Sequence, residues 1–220
     1  MTILAVTGLK REAEIVGGKG VVAVAGGGDV ASLQTKLDAL HGDIKGVISV
    51  GLAGALSPLL KVGDVVIADQ VIRGRETWHC SDVWRVALAA KLVDAHQGTI
   101  AASNTILENA KAKAALYDDT GALAVDMESA IAGRFAAARN LPFAALRVIS
   151  DDARHVLPPA ALVAMKPDGG IAFGRVLGSL LRHPLQVGGL IRTARASNKA
   201  FRELLRCANL CGVGFSGPNL

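Results

Sequence analysis

The run Val47-Ile48-Ser49-Val50, followed at once by Gly51-Leu52-Ala53-Gly54, is the stretch on which the fold turns. Four mostly apolar residues are too few for a helix, and their near-continuous character is that of a strand covered on both faces. The glycines after it read as a turn that lets backbone approach another group closely. The same arrangement recurs at Ile3–Val6, Val21–Ala25, Val65–Ile72, Thr99–Ala102, Leu123–Val125 and Phe143–Ile149. Helical patterns lie between several of these. After Gly26-Gly27-Gly28, Asp29 caps a stripe of Val30, Leu33, Leu37 and Leu40, and residues 82–96 and 127–140 read the same way. Pro142 then restarts the chain as a strand. The alternation predicts a single α/β domain over residues 1–220, with a central mixed, mostly parallel sheet flanked by helices. Residues 63–74 follow the preceding strand after a short link, which predicts an antiparallel pair. Residues 73–85, with Trp78, His79 and Trp84, are expected to form a flexible or partner-contacting loop, with His79 structural. The core spans about residues 1–155, and a helical, basic tail about 158–210.

Composition narrows the class. Hydrophobic residues are 51% and charged residues 20%, which excludes an intrinsically disordered chain. Cys80, Cys207 and Cys211 are too few for a disulfide scaffold and form no CxxC pair, so no zinc site is expected. Cys207 and Cys211 share a helical face and read as a buried apolar pair. Mean hydropathy is +0.39, yet no apolar run reaches the ~18 residues that span a bilayer. The chain enters directly on the strand-like Thr2–Val6, without the charged and apolar regions of a signal peptide, so a cytoplasmic location is expected. The net charge of +5 is local: beyond Ile171 stand Arg175, Arg182, Arg192, Arg195, Lys199, Arg202 and Arg206 against Glu203 alone. RNA binding through this tail would leave the acids described next unexplained, and aromatics, at 4%, do not accompany it. No nucleic-acid partner is expected.

Open α/β sheets bind ligands at the carboxyl ends of their strands. Those ends carry Thr7-Gly8-Leu9-Lys10-Arg11-Glu12, Gly26-Gly27-Gly28, Gly51–Gly54, Ser103-Asn104, Asp126-Met127-Glu128 and Ser150-Asp151-Asp152. Glu12, Glu128 and Asp151 would converge on one edge, an arrangement suited to acid–base work or to stabilising a cationic transition state. Each has a plainer use: Asp151 as a helix N-cap, Glu128 opposite a helix dipole, and Glu12 in an ion pair with Lys10 or Arg11.

The stretches Val50–Leu56 and Leu60-Lys61-Val62-Gly63-Asp64-Val65-Val66 resemble the nucleoside phosphorylase and nucleosidase family. So do Ala124-Val125-Asp126-Met127-Glu128-Ser129-Ala130 and Arg147-Val148-Ile149-Ser150-Asp151, and the resemblance covers residues 1–155. Residues 170–206, with Leu180-Leu181-Arg182-His183-Pro184, further resemble the hopanoid-associated phosphorylase branch. The resemblance implies a nucleoside phosphorylase-like fold and cleavage of an adenine N-glycosidic bond. The branch implies adenosylhopane as substrate, with adenine released in bacterial hopanoid biosynthesis.

Carried over residue by residue, the family pattern gives Asp151 the proton for purine N7, which lets adenine leave as a neutral base. Glu128 and Met127 hold the ribose, and a carboxylate on the 2′-hydroxyl favours an oxocarbenium-like sugar. Gly8, Ala53 and Gly54 lie beside sugar and base, and Ile106 offers main-chain groups to the adenine edge. Glu12 is where hydrolytic members position water. Arg11 is where phosphorolytic members hold phosphate, but their other phosphate positions read Ser49 and Leu52 here, which cannot act as a forked cation. Water is therefore the expected nucleophile, with phosphate as the alternative co-substrate and no metal or organic cofactor. The rivals are a 5′-methylthioadenosine/S-adenosylhomocysteine-type nucleosidase, a purine nucleoside phosphorylase, and a non-catalytic purine-binding or membrane-associated scaffold. Family members imply a homo-oligomer. Leu177, Leu180, Leu181, Leu185, Val187, Leu190 and Ile191 beside the tail's cations would suit either a membrane surface, as a peripheral contact, or packing on protein.

Overall fold

A computed structural model describes residues 2–156 and 187–217 of the chain. The expectations placed on residues 157–186, among them Arg175, Leu177, Arg182 and the Leu180–Pro184 motif, lie outside the described residues. Strand β1 (Thr2–Thr7) runs parallel between β2 (Val21–Ala25) and β3 (Ile44–Ala55). Ile3, Leu4, Ala5 and Val6 are all buried, as their unbroken apolar run requires.

Beyond β3 the sheet closes on itself. β3 pairs with β8 (Phe143–Asp151), β8 with β4 (Val65–Arg73), β4 with β6 (His96–Ala102), β6 with β7 (Ala124–Asp126), and β7 returns to β3. The short β5 (Glu76–His79) folds back on β4. Among the described residues three pairings, β3–β7, β4–β5 and β4–β8, are antiparallel and the rest parallel, so the sheet is mixed and mostly parallel. The antiparallel partners of β4 are β5 and β8 rather than the preceding strand.

Among the described residues six α-helices accompany the sheet: α1 (Lys10–Val16), α2 (Val30–Asp38), α3 (Asp82–Lys91), α4 (Ala110–Thr120), α5 (Ser129–Ala138) and α6 (Val187–Cys211). Asp29 caps α2 as expected, its Oδ1 accepting from the Ala31 and Ser32 amides at 3.0 and 3.1 Å. The strand period of two sorts side chains between two cores. Leu4 and Val6 of β1 face Leu33 and Leu37 of α2 and Phe135 of α5. Ile3 and Ala5 face Trp84 and Leu88 of α3 and Phe201, Leu204 and Cys207 of α6.

Two local expectations change. Residues 73–85 are not a loop: they end β4, form β5 and begin α3, and Trp84 is buried with its indole N–H donating to the Phe215 carbonyl at 2.7 Å. Likewise Gly51–Ala55 is no turn, because β3 runs straight through it. Helix α6 packs on the domain, burying Ala200, Phe201, Leu204, Cys207 and Cys211, while Ile191, Arg192, Arg195, Arg202 and Leu205 are exposed. Burial pushes the Cys207 thiol up to about 12 and Cys211 to about 11, in keeping with an apolar pair. Among the described residues no helix is long and apolar enough to cross a membrane.

If α6 is a wall of the core, Leu204→Ala removes a fully buried side chain and should cost about 2–5 kcal/mol in urea unfolding. The neighbouring Leu205→Ala, at an exposed position, should stay within about 0.5 kcal/mol of wild type. Equal effects would detach α6 from the core.

Candidate active site

The site forms where one edge of β3 changes partner. β8 runs along one edge of β3. The other edge pairs with β1 up to Ser49 and with β7 only from Gly54. The opening between them exposes backbone groups and admits the segments that follow β1, β7 and β8. A cavity of about 220 Å³ lies there. It is lined by Gly8, Glu12, Ala53, Gly54, Ile106, Met127, Glu128 and Asp151 among others, so these residues of the sequence reading are brought together.

Glu12 sits in the first turn of α1 and is 2% exposed. Its Oε2 accepts the Gly8 and Leu9 amides at 2.7 and 2.8 Å, and its Oε1 accepts the Leu52 amide at 2.8 Å. The Leu52 N–H, left free by the gap between β1 and β7, is thus taken by a carboxylate. Burial pushes the Glu12 carboxyl upward, opposed by these three amides and by the Arg147 charge. Gly51 is required by close approach, because a Cβ there would stand 2.8 Å from the Glu12 carboxyl carbon.

Glu128 follows β7 and approaches Glu12 across Gly8. A Cβ on Gly8 would lie 3.0 Å from Glu128 Oε1 and 3.4 Å from Glu12 Oε2. Burial first, then the neighbouring Asp126 charge, pushes Glu128 up to about 8. Beneath both glutamates lies a buried ion pair of Arg147 with Asp126, whose carboxylate also accepts the Ser129 amide at 3.1 Å. The Arg147 guanidinium donates onward to Ser49, to Ser129 at 3.0 Å and to the Leu146 carbonyl at 3.1 Å.

Asp151 ends β8 beside Gly54. Ser150 Oγ lies 2.8 Å from Asp151 Oδ1 and 3.2 Å from the Ala53 carbonyl. Asp151 Oδ2 is ion-paired with Lys113 of α4, which is 1% exposed and also donates to the Asp152 carbonyl at 2.9 Å. The attachment points of Glu12 and Asp151 on β3, Leu52 and Gly54, are two residues or roughly 7 Å apart.

Arg11 is not in the cavity. It is exposed, its Nη1 donates to Asn198 Oδ1 at 3.1 Å, and its guanidinium stacks on Phe201 at 4.2 Å. Three lining residues are not marked by any sequence signal: Leu107, Lys113, and Ser197 of α6. Asn109, whose side chain accepts the Ala112 amide at 2.9 Å, was the available cap signal for α4. Among the described residues no group of three or more His, Cys, Asp or Glu could hold a metal ion.

Because Glu128 binds its proton more tightly folded than unfolded, its contribution to stability is complete below its ordinary value of 4.5. It is lost as pH rises toward about 8. Thermal melting should therefore decline across that interval, and Glu128→Gln should flatten the decline. An unchanged slope in the variant would assign the effect to another group.

Three solved structures set these features among known folds. The 5′-methylthioadenosine/S-adenosylhomocysteine nucleosidase of Streptococcus pneumoniae, bound to a transition-state inhibitor, aligns over 96% of this chain and 100% of its own, at 19% identity and a TM-score of 0.66. A mutant MTAN of Helicobacter pylori with 5′-methylthioadenosine in its active site aligns over 94% and 98%, at 14% identity and a TM-score of 0.65. A futalosine hydrolase mutant of Helicobacter pylori aligns over 68% and 90%, at 16% identity and a TM-score of 0.59. At these identities the likeness is one of fold. Among curated protein sequences there is no significant match. The phosphorylase superfamily model matches residues 11–181, which hold most of the sheet and most of the cavity's lining, and the chain belongs to that superfamily.

Proposed function

We propose that the chain hydrolyses the N-glycosidic bond of an adenine nucleoside. The observation that carries this reading is the division at residues 11 and 12: Glu12 faces the cavity while Arg11 is turned out to Asn198 and Phe201. Among the described residues the only cation lining the cavity is Lys113, and it is engaged by Asp151, so no forked cation is placed for phosphate.

Glu12 suits the handling of water. Its two oxygens offer about four lone-pair sites, and three are filled by the Gly8, Leu9 and Leu52 amides. The fourth accepts a hydrogen from water and fixes its direction. Glu128 and Met127 take the ribose, and the Glu12 carboxylate near C1′ favours positive charge developing on the sugar. Asp151 serves the departing base, and Ala53, Gly54, Gly8 and Ile106 give backbone and apolar contacts. As the C1′–N9 bond breaks, its electron pair goes to the purine, N7 is protonated, and water adds to C1′ with its proton passing to Glu12.

For the substrate we propose adenosylhopane, cleaved to adenine and ribosylhopane. The resemblance of residues 170–206 to the hopanoid-associated branch supports it. So does α6, which lends Ser197 to the cavity and exposes Ile191, Arg192 and Arg195 on its preceding turns, an apolar and cationic approach for a lipid-borne head group. The fold likeness to nucleosidases equally supports a small 5′-thioadenosine substrate. Mass spectrometry of products from adenosylhopane and from 5′-methylthioadenosine, each with and without phosphate, separates the cases. Phosphate-independent adenine release from adenosylhopane is the expected result. Release from 5′-methylthioadenosine alone would move the substrate to the small class, and a phosphorylated sugar would overturn hydrolysis.

A further inference from the structure

Protonating the leaving base requires a proton, and the structure places Asp151 in an ion pair rather than as an isolated acid. Its Oδ2 accepts from Lys113, whose Nζ is buried, also donates to the Asp152 carbonyl at 2.9 Å, and lines the same cavity. A lysine at 1% exposure is rare without a purpose for its charge. It comes from α4, an element separate from the strand that carries Asp151, so its arrival there is a tertiary choice. The other oxygen of Asp151 faces a hydroxyl with two outlets. Ser150 has one proton and can give it to Asp151 Oδ1 at 2.8 Å or to the Ala53 carbonyl at 3.2 Å. Turned to Asp151, it satisfies a carboxylate. Turned to Ala53, it accepts from a carboxylic acid. The surroundings of Asp151 therefore accommodate both of its protonation states without leaving a buried group unpaired.

We propose that Lys113 is the proton source of the leaving-group acid, acting through Asp151. This rests on the nucleosidase reading above. A proton on Nζ crosses to Asp151 and passes to purine N7 as the C1′–N9 electron pair enters the ring. Lys113 is left as a neutral amine. Water adds to C1′ and gives its proton to Glu12, and solvent returns a proton from Glu12 to Lys113 before the next turnover. The sum is nucleoside plus water giving base plus sugar. Lys113 is a positioning and supplying group rather than one that touches the reacting atoms.

The test compares two leaving groups in the full-length protein. One is the adenine nucleoside that wild type cleaves fastest. The other is 4-nitrophenyl β-D-ribofuranoside, whose nitrophenolate departs without a proton. Lys113→Met should lower kcat on the adenine nucleoside by about 100-fold, the scale of general acid catalysis, with KM within about 3-fold. It should lower kcat on the nitrophenyl riboside far less. Lys113→Arg keeps the positive charge beside Asp151 but holds its proton, so its kcat on the adenine nucleoside should stay close to that of Lys113→Met. Equal losses on the two substrates, or recovery of adenine release by Lys113→Arg to near the wild-type rate, would overturn the proposal and leave Lys113 a structural cation. Wild-type protein inert on every adenine nucleoside and on the nitrophenyl riboside would instead overturn the nucleosidase reading itself, and this inference with it.

Discussion

A guanidinium and a carboxylate, each about 1% exposed, hold the centre of this molecule together. Arg147 reaches from β8 to Asp126 at the end of β7, across the face of β3. Such a pair is tolerated in an interior only when the remaining donors and acceptors are also satisfied. Here Ser49, Ser129 and the Leu146 carbonyl take three of the four other guanidinium protons. Among the described residues no buried side-chain polar atom lacks a partner. Breaking one half of a buried pair typically costs about 3–5 kcal/mol, so the ring of strands and this pair stand or fall together. The same positive charge opposes the upward push of burial on both Glu12 and Glu128. The cation that closes the sheet also keeps the nearby carboxyls within reach of ionisation.

The second determinant is a vacancy in hydrogen bonding. An edge of β3 that leaves β1 before it meets β7 would ordinarily expose unpaired amides. Glu12 fills that role with its carboxylate, at the cost of excluding any side chain from Gly51. A gap in a ladder, an acid in a helix's first turn and a glycine without room for a Cβ are one arrangement seen from three sides. This explains why glycines occur within a strand, where they otherwise weaken it.

Much of this was legible in the chain. Strands showed as runs of branched residues, and the acids Glu12, Glu128 and Asp151 stood out because each follows such a run. What escaped has physical reasons. Helix α4, Ala-Lys-Ala-Lys-Ala-Ala-Leu-Tyr-Asp-Asp-Thr, has almost no apolar stripe, so periodicity does not reveal it, and the buried Lys113 is the residue that patterning assigns to solvent. Arg11 and Glu12 are adjacent in sequence but about 100° apart around a helix, so one entering the cavity turns the other away. Gly51 lies within β3 and marks a close approach to the Glu12 carboxyl without the turn that its sequence pattern suggests. The hairpin strand β5 was hidden by its exposed, mixed composition, Glu-Thr-Trp-His.

The closed ring of strands has a kinetic side. β3 and β8 meet with Val47 against Phe143, most of the described domain apart in sequence, and the ring is incomplete until they do. Loop-closure entropy must be overcome before such contacts reward the chain, which places the topology among slow folders. During synthesis, Glu12 emerges before Glu128 and Asp151 and waits for them. The cavity therefore cannot assemble on a nascent chain before β8 has left the ribosome, and until then the apolar edges of β3 and β4 are open to intermolecular pairing.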